Sequence, residues 1–405
     1  MENFKNFKQK AEKSKEKKAA FGSDVELEKF TTTAPNYEHL MDLSKISTAE
    51  KKDIQEVGID ANNKNPAYMQ KDASVIHSTG TYNGVEVISI REALQKYDWA
   101  KDYYWKAVDV GTDKFTASAE LNLMNGYFIR AEKGVKAKFP VSACLFIGTK
   151  NFAQSVHNII IAEEDSELNI ISGCLSASNV ESGIHIGISE FYIKKGAKIS
   201  FTMIHKWNKD FAVRPRSVAL VEENGKFISN YICMSDVQTL QTYPVVKLNG
   251  KNSVARLTSI LIAKEGAEMD VGGKIILNAE NTKGEIISRA ITTGGKIIAR
   301  GNLTGNVSDV KAHMACQGLI LSNKGSIKAI PEIEGNAKDV EMSHEAAVGK
   351  IEKEKIEYLM ARGLSEEQAT STIVRGFLNV EIEGLHENLK RQIDEVIEQV
   401  SKEGY

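Results

Sequence analysis

One stretch of the sequence, residues 310–378, brings together side chains that bind metal ions. Cys316 follows His313, and His344 is adjacent to Glu345. Thiolate, imidazole and carboxylate groups are the ligands that proteins use for zinc and iron. This stretch is therefore the first candidate for a metal site. In the alternative interpretation the same residues only cap a strand and form ordinary hydrogen bonds.

The spacing of these residues restricts the backbone conformations that could bring them to one metal ion. Neighbouring residues of a regular strand point to opposite faces, so His344 and Glu345 reach one ion only where the strand ends or bulges. The odd separation of His313 and Cys316 imposes the same condition. Because the strand-like pattern gives way to a helical one soon afterwards, we expect irregular backbone at Glu345.

The other three cysteines, Cys144, Cys174 and Cys233, are far apart and form no CxxC pair. This spacing is unlike a zinc ribbon or a disulfide scaffold and predicts a reducing, cytoplasmic location. Buried cysteines are commonly inert apolar side chains, which is the default interpretation of all three.

The composition of the chain argues against several classes of function. The chain has 405 residues, 42% hydrophobic residues and a net charge of −2, which is typical of a soluble globular protein. This balance indicates neither nucleic acid nor a membrane surface as partner, and no apolar run reaches the roughly 18 residues of a membrane span. No GxxxxGK[ST] motif occurs, so we expect no Walker-type ATP hydrolysis by this chain.

From about residue 121 the pattern changes to short strands rich in Ile, Val, Phe and Tyr. A turn motif recurs about every 30 residues, and once more after a longer gap. A charged pair, then Gly or Asp, then an alternating apolar strand suits the corner of a β-solenoid. The motifs begin at Glu132, Glu163, Lys194, Glu222 and Lys264. We predict a mainly β protein whose core is a right-handed parallel β-helix.

Helical patterns flank this core. The predicted domains are a mainly helical N-terminal domain (1–120), the β-helix core (121–342) and a C-terminal helical domain (343–405). Apolar stripes in the last domain, including one in a final helix from about Leu385, either close the open end of the solenoid or meet a partner.

The order of the C-terminal motifs resembles the SufB/SufD family of iron–sulfur cluster assembly scaffolds, and SufB more than SufD. The four motifs are Cys316, HEA from His344, RGLSEEQA from Arg362 and IVRGF from Ile373. Weaker similarity extends upstream, so that the resemblance covers roughly residues 80–380. It implies the same β-helical fold.

The resemblance also implies a function. It predicts a non-enzymatic, cytoplasmic scaffold of the SUF system that builds a transient [4Fe–4S] or [2Fe–2S] cluster for apoproteins, with Cys316 and Glu345 as ligands and His344 or His313 as further ligands. A SufC-like ABC ATPase is expected on the C-terminal helices and is the only member of the complex that would bind ATP. A homodimer is expected through the β-helix.

Two further residues belong to a sulfur route that the resemblance places inside the β-helix. Cys174 follows a family-like ISG turn, and Trp207 matches the family's tryptophan. The sequence departs from the family's pattern at one position: the glutamine two residues before that tryptophan is His205 here. Arg214 and Arg216 are candidates for the positive charge that a sulfur anion would need, with exposed surface arginines as the alternative.

Two other functions remain open. A SufD-like chain would support the assembly without holding a cluster. A β-helix that acts on a polysaccharide would use paired carboxylates along its flank, but the strands show no such motif.

Overall fold

The computed structural model describes residues 2–378, which contain six α-helices and 23 strands. The α-helices are α1 (Glu2–Ser14), α2 (Thr48–Gln55), α3 (Ile90–Lys96), α4 (Lys114–Leu121), α5 (Lys353–Met360) and α6 (Glu366–Leu378), and short 3-10 helices span Leu27–Lys29, Leu43–Lys45 and Asp98–Asp102. The predicted helix from Leu385 lies outside the described residues.

The strands occupy most of the chain between residues 67 and 349. They are β1 (Ala67–Lys71), β2 (Ser74–Ser78), β3 (Gly80–Tyr82), β4 (Val85–Ser89), β5 (Tyr127–Ala131), β6 (Val141–Ile147), β7 (Phe152–Ala162), β8 (Glu167–Ser176), β9 (Ser182–Ile193), β10 (Lys198–Lys206), β11 (Asp210–Val213), β12 (Arg216–Val221), β13 (Lys226–Cys233), β14 (Thr239–Thr242), β15 (Val245–Leu248), β16 (Val254–Ala263), β17 (Glu268–Val271), β18 (Lys274–Leu277), β19 (Lys283–Thr292), β20 (Lys296–Gly305), β21 (Val310–Ile320), β22 (Ser326–Gly335) and β23 (Val340–Gly349).

These strands form a β-solenoid with two long, mostly parallel sheets. Sheet 1 has the order β2-β1-β6-β8-β10-β13-β16-β19-β21-β23. Sheet 2 runs from β11 through β14, β17, β20, β18, β15, β12, β9, β7, β5 and β4 to β3, with β22 paired to β20. Each strand therefore pairs with the equivalent strand of the next coil. The prediction of a β-solenoid flanked by helices is confirmed.

The corners that lead from sheet 2 to sheet 1 each hold one residue with a positive φ angle. Gly, Asn and Asp adopt this left-handed conformation at the lowest cost. The eight positions are Gly134, Asp165, Gly196, Asn224, Asn252, Asn281, Asp309 and Asp339. Four of the five predicted turn motifs lie in this series. The fifth, at Lys264, lies at the opposite corner, where Gly266 has φ +87°.

The helices pack on the outer faces of the solenoid, and none of them lies inside it among residues 2–378. Inward side chains of both sheets form the central core. Helices α2, α5 and α6 pack with apolar residues on the outer face of sheet 1, whereas α1, α3 and α4 pack on sheet 2. Of the two roles predicted for the C-terminal stripes, closing the solenoid end is therefore wrong for α5 and α6. Within residues 2–378 no helix has the length and apolar character that crossing a bilayer requires.

Two predicted domain boundaries need correction. The N-terminal part is not separate from the solenoid, because it contains β1–β4 beside its helices, and β1 joins sheet 1 at Ala67 and pairs with β6. The C-terminal boundary at 343 falls inside β23, and the first helix after it begins at Lys353. The strands in these segments are too short or too polar to be distinguished from helix by their sequence pattern.

The corner residues offer a test of the coil geometry. Asn281 has φ +59°, and a β-branched residue tolerates that angle poorly. Replacing Asn281 by Val should lower the free energy of unfolding by about 1–2 kcal/mol, whereas Asn281→Gly should cost less. Urea unfolding followed by circular dichroism measures both. Equal losses in the two variants would show that φ at this corner does not control stability.

Candidate functional site

Cys316 lies in β21 and faces the interior of the solenoid. Its side chain is 1% exposed and belongs to the central core, as does that of Met314. In sheet 1 it pairs with Ser288 of the preceding coil and Ala346 of the following one. Only one more strand, β23, lies between Cys316 and the end of the sheet.

The strand register divides the four predicted ligands between two faces. His344 pairs with Met314, so it shares the inner face with Cys316. Glu345 pairs with Ala315, and Ser343 pairs with His313, whose Nδ1 lies 2.8 Å from the Ser343 hydroxyl oxygen on the outer face. β23 runs unbroken through both residues, so the expected irregular backbone at Glu345 is wrong.

As a result, a single chain does not assemble a metal site in this state. Across residues 2–378, no three His, Cys, Asp or Glu side chains are close enough to hold a metal ion. One atom at the end of the solenoid nevertheless lacks a partner. The Nε2 atom of His344 is buried and has no hydrogen bond among the described residues. A buried polar atom without a partner costs free energy and marks a place where a ligand or another chain binds favourably.

The end of the solenoid is open. In the described chain, β22 pairs only with β20 and β23 only with β21, so each leaves one edge unpaired. Ile333 is 44% exposed and Val348 is 40% exposed, and Val348 shares the inner face of β23 with His344 and Ala346. Unpaired edges next to exposed apolar side chains form a surface on which another chain can pair and pack.

A second group of chemically active side chains lies deeper inside. Cys174, His205 and Cys233 occupy one row across β8, β10 and β13. The Trp207 ring centroid lies 5.5 Å from that of His205, and the Tyr231 hydroxyl oxygen lies 2.9 Å from His205 Nδ1. His205 Nε2 and Trp207 Nε1 are both buried without a hydrogen-bond partner in the described chain.

Burial keeps this interior group uncharged. It raises the pKa of Cys174 and of Cys233 to about 12, and it holds the pKa of His205 well below the usual range. At neutral pH the thiols are therefore protonated and the imidazole is neutral. Because the thiolate is the nucleophile, these cysteines are unreactive in the observed state.

A cavity of about 60 Å³ lies beside the row of inward side chains that ends at Cys316. That row runs through Met203, Tyr231, Ser259, Ser288 and Cys316 in register, and its first four members line the cavity. The volume suits a few water-sized molecules and is too small for an organic cofactor. Hydroxyl groups of Tyr231, Ser259 and Ser288 line one wall of this otherwise mostly apolar space.

Comparison with known proteins identifies the family. The family described as "SUF system FeS cluster assembly, SufBD core domain" matches residues 145–377. The chain belongs to the SufBD family. An iron-sulfur cluster assembly SufBD family protein of Methanothermobacter thermautotrophicus is 43% identical over 397 residues, covering 95% of this chain and 97% of the relative.

Two further relatives differ in their sequence identity to this chain and in the share of each chain that is covered. A SufBD family protein of Archaeoglobus fulgidus is 50% identical over 356 residues, covering 87% of this chain and 96% of the relative. The iron-sulfur cluster assembly protein SufB of Bacillus subtilis is 30% identical over 286 residues, covering 69% of this chain and 61% of that protein. The predicted SufB/SufD resemblance is confirmed, and the protein is an iron–sulfur cluster assembly protein of the SUF system.

In this SufBD protein, Arg214 and Arg216 serve the fold. Both are buried on the outer face of sheet 2. Arg216 Nε donates to Asp113 at 2.8 Å, and Arg214 donates to the Ser23 carbonyl oxygen at 2.9 Å. Neither arginine is exposed, and neither faces Cys174. They attach the N-terminal region to the solenoid.

Sequence reasoning missed the polar residues that line the interior. Tyr231, Ser259 and Ser288 come from three coils about 28 residues apart, and no motif links them. Their common signal is a polar residue at an inward position of an otherwise apolar strand. That signal becomes visible only once the register of the coils is known.

The burial of Cys316 predicts that its thiol reacts slowly with an alkylating reagent. Burial raises the pKa of this thiol, so less thiolate is present at any given pH than in an unfolded chain. At pH 8, iodoacetamide should alkylate Cys316 at least about tenfold more slowly in the native apoprotein than in urea. Peptide mass spectrometry gives both rates. Similar rates in the two conditions would contradict a buried Cys316.

Proposed function

We propose that this SufBD protein is a scaffold on which iron and sulfide assemble into an iron–sulfur cluster for transfer to apoproteins. One observation carries the proposal. Cys316 lies one strand from an open solenoid end, and the inner face of that end holds His344 with an unpartnered Nε2 atom. The cluster is cargo in this proposal, and Cys316 would supply its thiolate ligand, with Glu345 as the second ligand.

Such a ligand set suits a transferable cluster. Thiolate binds the iron of a cluster firmly, whereas carboxylate and imidazole are weaker cluster ligands. Glu345 is exposed and His344 and His313 are partly exposed, so all three are within reach of solvent. A cluster with one buried thiolate and several accessible oxygen or nitrogen ligands would be released more readily than a fully thiolate-bound one.

A homodimer would complete the site. The divided ligands and the unpaired edges of β22 and β23 lie at the same end of the solenoid. A second copy packed end to end would cover Ile333 and Val348 and bring a second Cys316 near the first. Each protomer would then contribute ligands that a single chain does not bring together.

The interior row would deliver sulfur to Cys316. The cavity reaches Ser288, the in-register neighbour of Cys316, and its opposite part reaches Tyr231 beside His205. Cys174 and Trp207 lie next to His205. Because Cys174 is protonated in the observed state, sulfur uptake there would require a change that exposes or deprotonates the thiol.

A SufC-like ABC ATPase is the proposed partner for α5 and α6. Tyr358 is 59% exposed and Met360 is 42% exposed, and the Arg362 guanidinium lies 5.1 Å from the Tyr358 ring centroid. Exposed aromatic, methionine and arginine side chains on a helix pair are typical of a protein interface. ATP would bind only to the partner, whose motion would shift the scaffold between states. A cytoplasmic location belongs to the same proposal and is supported by four free cysteines.

The second candidate function is a SufD-like structural subunit without its own cluster. The incomplete ligand set of the described chain favours it. In that case removal of Cys316 would leave assembly unchanged.

Anaerobic reconstitution with iron and sulfide distinguishes the two functions. Wild type should bind a cluster visible by absorbance and Mössbauer spectroscopy, and Cys316→Ala and Glu345→Ala should each lose most of it. Cys144→Ala is the matched control, because Cys144 lies with the outer core of sheet 1, away from the cavity. Full cluster content in Cys316→Ala would favour the SufD-like function.

A charge at the open end tests the dimer. Val348→Glu should convert the protein to a monomer, because a carboxylate buried in an apolar contact costs several kcal/mol without a partner. Sedimentation velocity measures the change. Met41→Glu is the control, since Met41 is 86% exposed and lies in the N-terminal region. A dimer that survives Val348→Glu would place the contact elsewhere.

A further inference from the structure

Arg289 lies between the C-terminal helices and the candidate ligand Glu345. It belongs to β19 and faces outward, in register with Gln317 of β21 and, through it, Ala347 of β23. Its guanidinium carbon lies 5.7 Å from the ring centroid of Phe377 in α6. It also interacts electrostatically with the carboxylate of Glu345.

The guanidinium has an unusual lack of partners. Its Nε and Nη1 atoms are buried without a hydrogen bond, and no ion pair involves Arg289 in residues 2–378. Burial lowers the pKa of Arg289, and the Glu345 carboxylate opposes that shift. Among other outward-facing arginines, Arg300 is paired with Asp270 at 2.5 Å, and Arg256 lies 3.1 Å from Glu285 although its Nε atom also lacks a hydrogen bond. Two buried nitrogen atoms without hydrogen bonds cost free energy, so a second use of this partly buried side chain is expected.

The strand positions put Glu345 within reach. Ile287, Ala315 and Glu345 form one outward row across β19, β21 and β23. Arg289 lies two residues further along β19, so two strand spacings across the sheet and two residues along it separate its Cα atom from that of Glu345 by about 12 Å. Extended arginine and glutamate side chains together cover most of that distance along the sheet surface. The same guanidinium therefore has an aromatic partner on α6 and a carboxylate partner on the last coil.

We propose that Arg289 is a positioning residue that couples α6 to Glu345. While α6 holds the guanidinium against Phe377, Glu345 keeps its carboxylate free for metal. When α6 moves away, the guanidinium pairs with Glu345 and withdraws it from the metal. Because the inference rests on the proposed function of Glu345 as a ligand, its test needs an outcome that separates the two.

The experiment measures how fast a chelator removes iron from anaerobically reconstituted full-length protein. Phe377→Leu removes the aromatic partner and should speed iron loss about tenfold, the usual size of an effect on a ligand's supporting partner. Arg289→Gln in the Phe377→Leu background should restore slow loss, because no guanidinium remains to capture Glu345. Arg289→Lys in that background should keep the fast loss, since the cation is retained. Arg256→Gln in the same background is the charge-matched control and should restore nothing.

Two results would overturn the role of Arg289. One is fast loss that persists in Phe377→Leu/Arg289→Gln, which would mean that Phe377 acts through packing alone. The other is Phe377→Leu protein that loses iron at the wild-type rate. Failure of the proposed function looks different: wild type and Glu345→Ala would then hold equal amounts of iron with the same Mössbauer spectrum, whatever residue occupies position 289.

Discussion

Parallel stacking of coils in register is the constraint on which the rest of this structure depends. Each strand residue sits directly beside its equivalent in the next coil, and side chains alternate strictly between the inside and the outside. A residue's face and row are therefore fixed once the register is fixed. Cys316 ends up beside Ser288 and inside, whereas Glu345, which the sequence groups with it, ends up outside.

The same constraint explains what the sequence could predict. Corner motifs repeat because every coil must turn with a left-handed residue, and Gly, Asn and Asp are the types that do so cheaply. The solenoid could thus be predicted from turns at Glu132, Glu163 and Lys194. The register could not be predicted, because several sheet 2 strands are only 4–6 residues long and the turn at Asn252 lacks the charged pair. Without that turn, the sequence did not show that the motif at Lys264 belongs to the opposite corner.

The candidate site shows even more clearly what could not be predicted from the sequence. Motif order selected the candidate residues, but closeness in sequence is a poor guide to closeness in a solenoid. His344 and Glu345 are neighbours in the chain and face opposite ways. Conversely, Cys174 and Cys233 are nearly 60 residues apart and lie two strands from each other in one row. Only the paired strands reveal that row, and only they place Arg289 near Glu345.

The last coil differs physically from the others because it has a neighbour on one side only. In a stacked array, stability comes largely from contacts between adjacent coils, so the terminal coil has the lowest cost of deformation. Residues 326–349 are also the most exposed strands of the solenoid. A ligand set that is split across two faces of a regular strand needs either such a deformation or a second chain before it can close around metal. In the proposed function, Glu345 on this coil and Cys316 on the coil beneath it would form a site whose thiolate is fixed and whose carboxylate can be withdrawn. The proposed scaffold, which must both hold and release its cargo, would require that asymmetry.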